Sequence, residues 1–179
     1  MATLSFVFFL LIGIFAIIGS LRGWSKEMMV TFSVILAIFI IYILEGIIPG
    51  LMNSLTPQGT AAYFWLRAGI LLILVFFGYQ TPNFPKLGGQ RFARERLQDV
   101  LLGLFLGAFN GFLIAGALWY YMKEAGYPFP NQIKAPIPGD PFTDAAFRLY
   151  PWLAPAWLKG NTLYIAVALA FVFVIVVFL

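Results

Sequence analysis

The sequence predicts an all-α, polytopic membrane protein, and three observations carry that prediction. The chain is 62% apolar and only 10% charged, where a soluble domain runs near 45–50% apolar and about 25% charged. Its apolar residues fall into separate runs of roughly the ~20 residues that one membrane-crossing helix needs. One run, Asp99 to Met122, carries Gly103, Gly107 and Gly111 at four-residue spacing, with Ala115 continuing the row. Residues four apart lie nearly above one another on a helix, so this row forms a flat groove that lets a second backbone approach closely.

About five spans are expected. The first, Thr3 to Ser20, is uncharged over its whole length. It lacks the basic n-region and small-residue cleavage site of a signal peptide, so it reads as a retained span. The connection Leu21 to Glu27 is short enough to make spans one and two a tight antiparallel hairpin. Span two runs from about Met28 to Ile48, with Glu45 near its end, and Pro49-Gly50 terminates it because proline cannot continue the hydrogen-bond ladder. Span three, Tyr63 to Tyr79, holds Arg67 one turn from its start, where a long cation can snorkel to the interface. Glu45 and Arg67 fall on the same side of the membrane if spans alternate, which makes them a candidate intramembrane ion pair.

The loop from Gln80 to Gln98 holds Lys86, Arg91, Arg94 and Arg96. Thr81 to Pro85 cannot be regular helix, and Gln90 to Asp99 reads as a short interfacial helix leading into span four. A proline-rich connector, Lys123 to Asn161, follows span four. Its first half should be extended, and Thr143 to Leu158 should form short helices that lay Tyr150, Trp152 and Trp157 along the membrane surface. The last run, Thr162 to Leu179, reaches ~27 Å at ~1.5 Å per residue, enough to cross with little tilt. The chain thus divides into a four-span membrane part (1–122), the connector with its interfacial helix (123–161) and a C-terminal span (162–179).

The connections between spans one and two and between spans three and four hold two and four basic residues, whereas the second-to-third connection holds none. The positive-inside rule then places the two basic connections in the cytoplasm and the N-terminus outside. The formal charge of +4 follows from that loop bias and gives no reason to expect a nucleic-acid partner. With no cysteine and no histidine, thiolate chemistry, the usual zinc sites and histidine-ligated haem or chlorophyll are excluded. No nucleotide-binding, serine-hydrolase, zincin or dithiol motif occurs. The chain therefore reads as a non-enzyme with no cofactor of its own, in contact with lipid and open to carotenoid contact. Asn110, the deepest polar residue, reads as a packing clamp. The glycine row predicts a helix partner, either within the chain, in a second copy or in a larger membrane complex.

Gly19-Ser20-Leu21-Arg22-Gly23-Trp24-Ser25-Lys26-Glu27 resembles the turn between the first two spans of the colicin V production (CvpA-like) family of small bacterial inner-membrane proteins. Gly19, Arg22, Gly23, Lys26 and Glu27 carry the likeness, a glycine and a basic Arg-Gly turn before a basic-acidic pair. Asp99 followed by Gly103, Gly107 and Gly111 is similar to the family's acidic residue leading into a glycine-stepped helix. The resemblance covers residues 4–121. The chain departs from the pattern at Thr3 and Ser5, at Val100, at Asn110, and in having a fifth span. The resemblance implies a bacterial inner-membrane location and a role in toxin export or envelope maintenance. Two other functions fit the composition: an accessory structural subunit of a respiratory or photosynthetic complex docked through the glycine-rich helix, and a small channel or carrier.

Overall fold

The computed structural model describes residues 3–47, 57, 59–80, 93–133, 135–140 and 143–178. These form α-helices and short connections, with no strand among the described residues. Four helices are long and apolar enough to cross a membrane: α1 (Leu4–Arg22), α2 (Trp24–Ile47), α3 (Ala61–Tyr79) and α4 (Ala93–Glu124). In the connector, α5 (Asp144–Leu149), a 3₁₀ turn (Tyr150–Trp152) and α6 (Ala154–Trp157) precede α7 (Asn161–Phe178). Pro49-Gly50, most of the loop from Leu51 to Ala62, and the stretch from Thr81 to Phe92 lie outside the described residues.

Local chemistry sets the helix ends. The Thr3 hydroxyl accepts from the Phe6 N–H at 3.3 Å, and Thr60 does the same for Tyr63 at 3.3 Å, satisfying first-turn donors that have no intrahelical partner. α1 stops because Gly23 takes φ +86°, with its N–H closing on Gly19 O at 2.9 Å. α4 ends at Gly126 (φ +68°) and Tyr127 (φ +55°), whose N–H groups return to Lys123 O and Met122 O at 3.0 Å each.

The main core lies between α2, α3 and α4. Val30, Val34, Ala37, Ile38 and Ile41 form one stripe of α2 at helical spacing; Phe64, Ala68, Leu71 and Val75 face it from α3, and Leu113, Ile114, Ala117 and Tyr121 from α4. Gly78 lets α3 sit close against α2, since a Cβ there would fall 2.5 Å from Ser33 Oγ. Alternating directions bring the start of α2 and the ends of α1 and α3 to one end of the bundle, the turn end. The end of α2, the starts of α3 and α7 and the connector occupy the other, the connector end.

Several expectations change. The connection between α1 and α2 is a single residue, Gly23, yet the two helices do not lie along each other as a hairpin; α1 packs almost wholly on α4. The small-residue row of α4 presents the smoother surface, while the start of α2 is occupied by polar contacts. Residues Ala93 to Asp99 belong to α4, continuous over 32 residues, and are not a separate interfacial helix, because nothing in that stretch breaks the backbone ladder. Among the described residues four helices meet the length needed to cross, and α7 adds a shorter apolar run, Asn161–Val176. α7 lies antiparallel along α2, with Tyr164 edge-on to Phe39 and Tyr42 and Phe173 against Phe32 at 5.2 Å.

The first half of the connector holds hydrogen-bonded turns, Ile133 to Phe129 and Asp140 to Ile137, and is not extended throughout. Its second half seats Ala146, Leu153 and Ala154 in the interior and leaves Trp152 and Trp157 exposed. The Tyr150 and Tyr127 hydroxyls bond each other, and Trp119 Nε1–H donates to Tyr127 at 3.3 Å. Burial, together with that bond, pushes the Tyr150 hydroxyl above its ordinary value.

Candidate functional site

The polar side chains buried in the bundle form two clusters, one at each end, and the glycine row leads to the first. Gly103 and Gly107 face Gly19 so closely that a Cβ on Gly107 would lie 2.3 Å from Phe15 O and one on Gly19 2.2 Å from Gly103 O. A Cβ on Gly111 would meet Phe15 Cβ at 2.8 Å. Backbone touches backbone along this seam, and α1 fills the groove. The row's partner in the structure is thus a helix of the same chain.

At the turn end the seam opens onto Gly23. Its neighbour Trp24 donates its N–H to Asp99 Oδ1 at 3.2 Å. An acid from α4 thus serves the N-terminus of α2, where a negative charge is favourable. A Cβ on Gly23 would sit 2.8 Å from the same oxygen, so the position needs glycine for space as well as for its positive φ.

One turn into α2, Glu27 is fully buried, and both its oxygens are taken. Arg22 Nη1 donates to Oε1 at 2.6 Å, and Asn110 Nδ2 donates to Oε2 at 2.8 Å and to the Glu27 carbonyl at 2.9 Å. The Thr31 hydroxyl donates to Asn110 Oδ1 at 2.7 Å, with the Glu27 carbonyl at 3.1 Å as its second acceptor. Arg22 Nη2 continues to the Tyr79 carbonyl at 3.1 Å, and its guanidinium lies over the Tyr79 ring at 4.3 Å. The network draws one residue or more from each of the four long helices. Every member of the Glu27–Asn110–Thr31 core is hydrogen-bonded, the condition under which buried polar groups specify a structure instead of weakening it. Lys26, the remaining residue of the turn motif, is half-buried beside it.

The second cluster lies at the connector end, between α2, α3, α4 and α6. Arg67 is buried and its Nη2 pairs with Glu45 Oε1; Nη2 also meets the Tyr63 hydroxyl. The guanidinium lies over the Tyr63 ring at 3.7 Å and near that of Tyr121 at 5.4 Å. Glu45, Arg67 and Tyr121 open into a cleft of about 200 Å³ lined also by Tyr42, Tyr120, Glu124 and Lys159. Arg67 Nε, Glu45 Oε1 and the Tyr121 hydroxyl are buried without an aligned hydrogen bond among the described residues. Here the unused donors of Arg67 and Tyr121 lie on residues that line an opening; in the first cluster the Tyr79 hydroxyl is likewise unpartnered among the described residues.

Glu45, Arg67, Asn110 and the turn motif stand out in the sequence, where Asn110 reads as a packing clamp without its polar company being named. Its company comes from α2. Thr31 and Tyr79 went unnoticed, since one threonine and one tyrosine in apolar helices carry no signal of their own. Tyr63 was legible, lying four residues before Arg67 on one helix face. Glu124 and Lys159 stood in the connector with nothing to place them at the cleft. Among the described residues no three acidic side chains gather as a metal site would require. No family model, curated protein or solved structure matches the chain.

Proposed function

We infer that this chain is a non-enzymatic protein of the bacterial inner membrane, CvpA-like in kind, that acts in envelope maintenance or toxin export. The support is spatial. The two stretches on which the resemblance rests, Gly19 to Glu27 and Asp99 to Gly111, are far apart in sequence and meet in one joint. Gly19 packs on Gly103 and Gly107, Asp99 receives the Trp24 N–H, and Asn110 holds Glu27. Residues that resemble a family motif separately act here as one device, a lock that fixes α1 and α2 against α4.

A strain lacking the chain should become more sensitive to membrane-active detergents, with rescue by the wild-type gene and not by Gly107→Ile. Sensitivity equal to that of the parent strain would remove the reading. Orientation is tested separately, because the absence of cysteine permits single-cysteine labelling. With the N-terminus outside, an impermeant maleimide should label Gln132→Cys in intact cells and leave Ser25→Cys unlabelled; the reverse pattern would invert the topology.

A second reading, an accessory subunit of a larger membrane complex, is favoured by the outer face of α7, where Ile165, Leu169, Val172 and Val176 are exposed. Native gels after mild solubilisation separate the two: one small band for a free-standing protein, a large assembly for a subunit.

A further inference from the structure

The cleft at the connector end has a charge pattern that the proposed function leaves unused. Two cations, Arg67 and Lys159, and two carboxylates, Glu45 and Glu124, line one opening. Arg67 is paired with Glu45, and Glu124 stands 4.0 Å from Lys123 at the rim. Lys159 is exposed and has no ion-pair partner among the described residues. The charges of the lining balance, which sets this cleft apart from the basic pockets that collect anionic headgroups.

Three further observations narrow the ligand. Arg67 Nε and the Tyr121 hydroxyl, on residues 5% and 2% exposed, are donors without acceptors among the described residues; an arginine N–H and a phenol are natural partners for a phosphate oxygen. Tyr42 adds an aromatic face suited to an ammonium group, and Tyr120 already takes one, with Lys123 Nζ 5.6 Å over its ring. At about 200 Å³ the cleft is smaller than the ~300–1,000 Å³ pockets of drug-sized ligands. It also lies among Tyr63, Tyr120 and Tyr121 at the ends of the crossing helices, the level at which headgroups sit.

We propose that this cleft holds the headgroup of a zwitterionic phospholipid, its phosphate on Arg67, Tyr121 and Lys159 and its ammonium on Glu45 and Glu124. The lipid enters sideways between the end of α2 and the start of α7, with its acyl chains running along the bundle. The site stands whether or not the envelope role does, since it uses none of the residues of the turn-end lock.

Native mass spectrometry of the full chain tests it, with phosphatidylethanolamine and phosphatidylglycerol of identical acyl chains supplied in equal amounts. The wild-type protein should retain phosphatidylethanolamine several-fold over phosphatidylglycerol. Glu124→Gln should abolish that preference, and Lys159→Gln should weaken retention of both lipids. Both side chains are exposed, so the variants keep the fold. Equal or better retention of phosphatidylglycerol by the wild type would overturn the proposal, as would a wild-type preference surviving in both variants.

Discussion

Two arginine–glutamate pairs, each with one fully or almost fully buried partner, sit at opposite ends of one bundle and differ in what surrounds them. At the turn end, Glu27 is fully buried with both oxygens occupied, and its partners come from other helices or from the adjoining turn. At the connector end, Glu45 is partly exposed, Arg67 keeps an unused N–H, and a cleft opens alongside. The same two residue types therefore hold helices together in one place and leave binding capacity in the other. The difference lies in the neighbours: an asparagine and a threonine consume spare hydrogen-bonding capacity, whereas tyrosine rings flank the arginine without using all its donors.

The comparison breaks most sharply at Glu27. Glu27→Ala leaves Arg22 and Asn110 without their shared acceptor and should cost about 3–5 kcal/mol, the loss typical of breaking a buried pair from one side. Glu45→Ala, with a part-exposed carboxylate, should cost well under half of that. Reversible unfolding in mixed micelles reads both, and equal losses would erase the distinction between the two ends.

The seam comes next. Gly107→Ala forces a methyl against Phe15 O and should cost about 1–3 kcal/mol, as overpacking does. Gly13→Ala in α1, where a Cβ meets nothing within 4 Å, should be neutral or stabilise by up to about 1 kcal/mol through helix propensity. Similar unfolding midpoints for the two variants would show that the seam can spread.

A smaller effect sharpens the role of the amide. Thr31→Val removes the donor to Asn110 Oδ1 and should cost about 1–2 kcal/mol, the penalty of one buried unsatisfied acceptor. No additional loss when Thr31→Val is combined with Asn110→Ala would show that the two act as a unit. Smallest of all, Lys159→Gln should shift stability by less than about 0.5 kcal/mol while changing lipid retention, so a stability loss comparable to that of Thr31→Val would make Lys159 a structural residue.

Much of the fold was legible because crossing helices depend on local properties. The limits of α3 could be read to within a turn from hydropathy, and the glycine row from its spacing alone. The hairpin of α1 and α2 was misjudged, because a short connection constrains where two helices meet and not which faces they share. The glycine row left its partner open for the same reason, since any backbone of suitable curvature can lie in it. Asp99 was visible as an acid before a glycine-stepped helix, yet its service to the N-terminus of α2 depends on α1 and α4 lying in register.

By itself the sequence determined that this chain is a set of apolar helices with one small-residue face, since burial of apolar surface and helical periodicity are properties of contiguous residues. Only the tertiary structure decided that Phe15 and Gly19 of α1 occupy that face, that Glu27 is met by Asn110, and that Arg67, Tyr121 and Lys159 surround one cleft. Those pairings join residues on different helices. Many arrangements of the same helices bury nearly the same apolar surface, and the polar contacts across them select one.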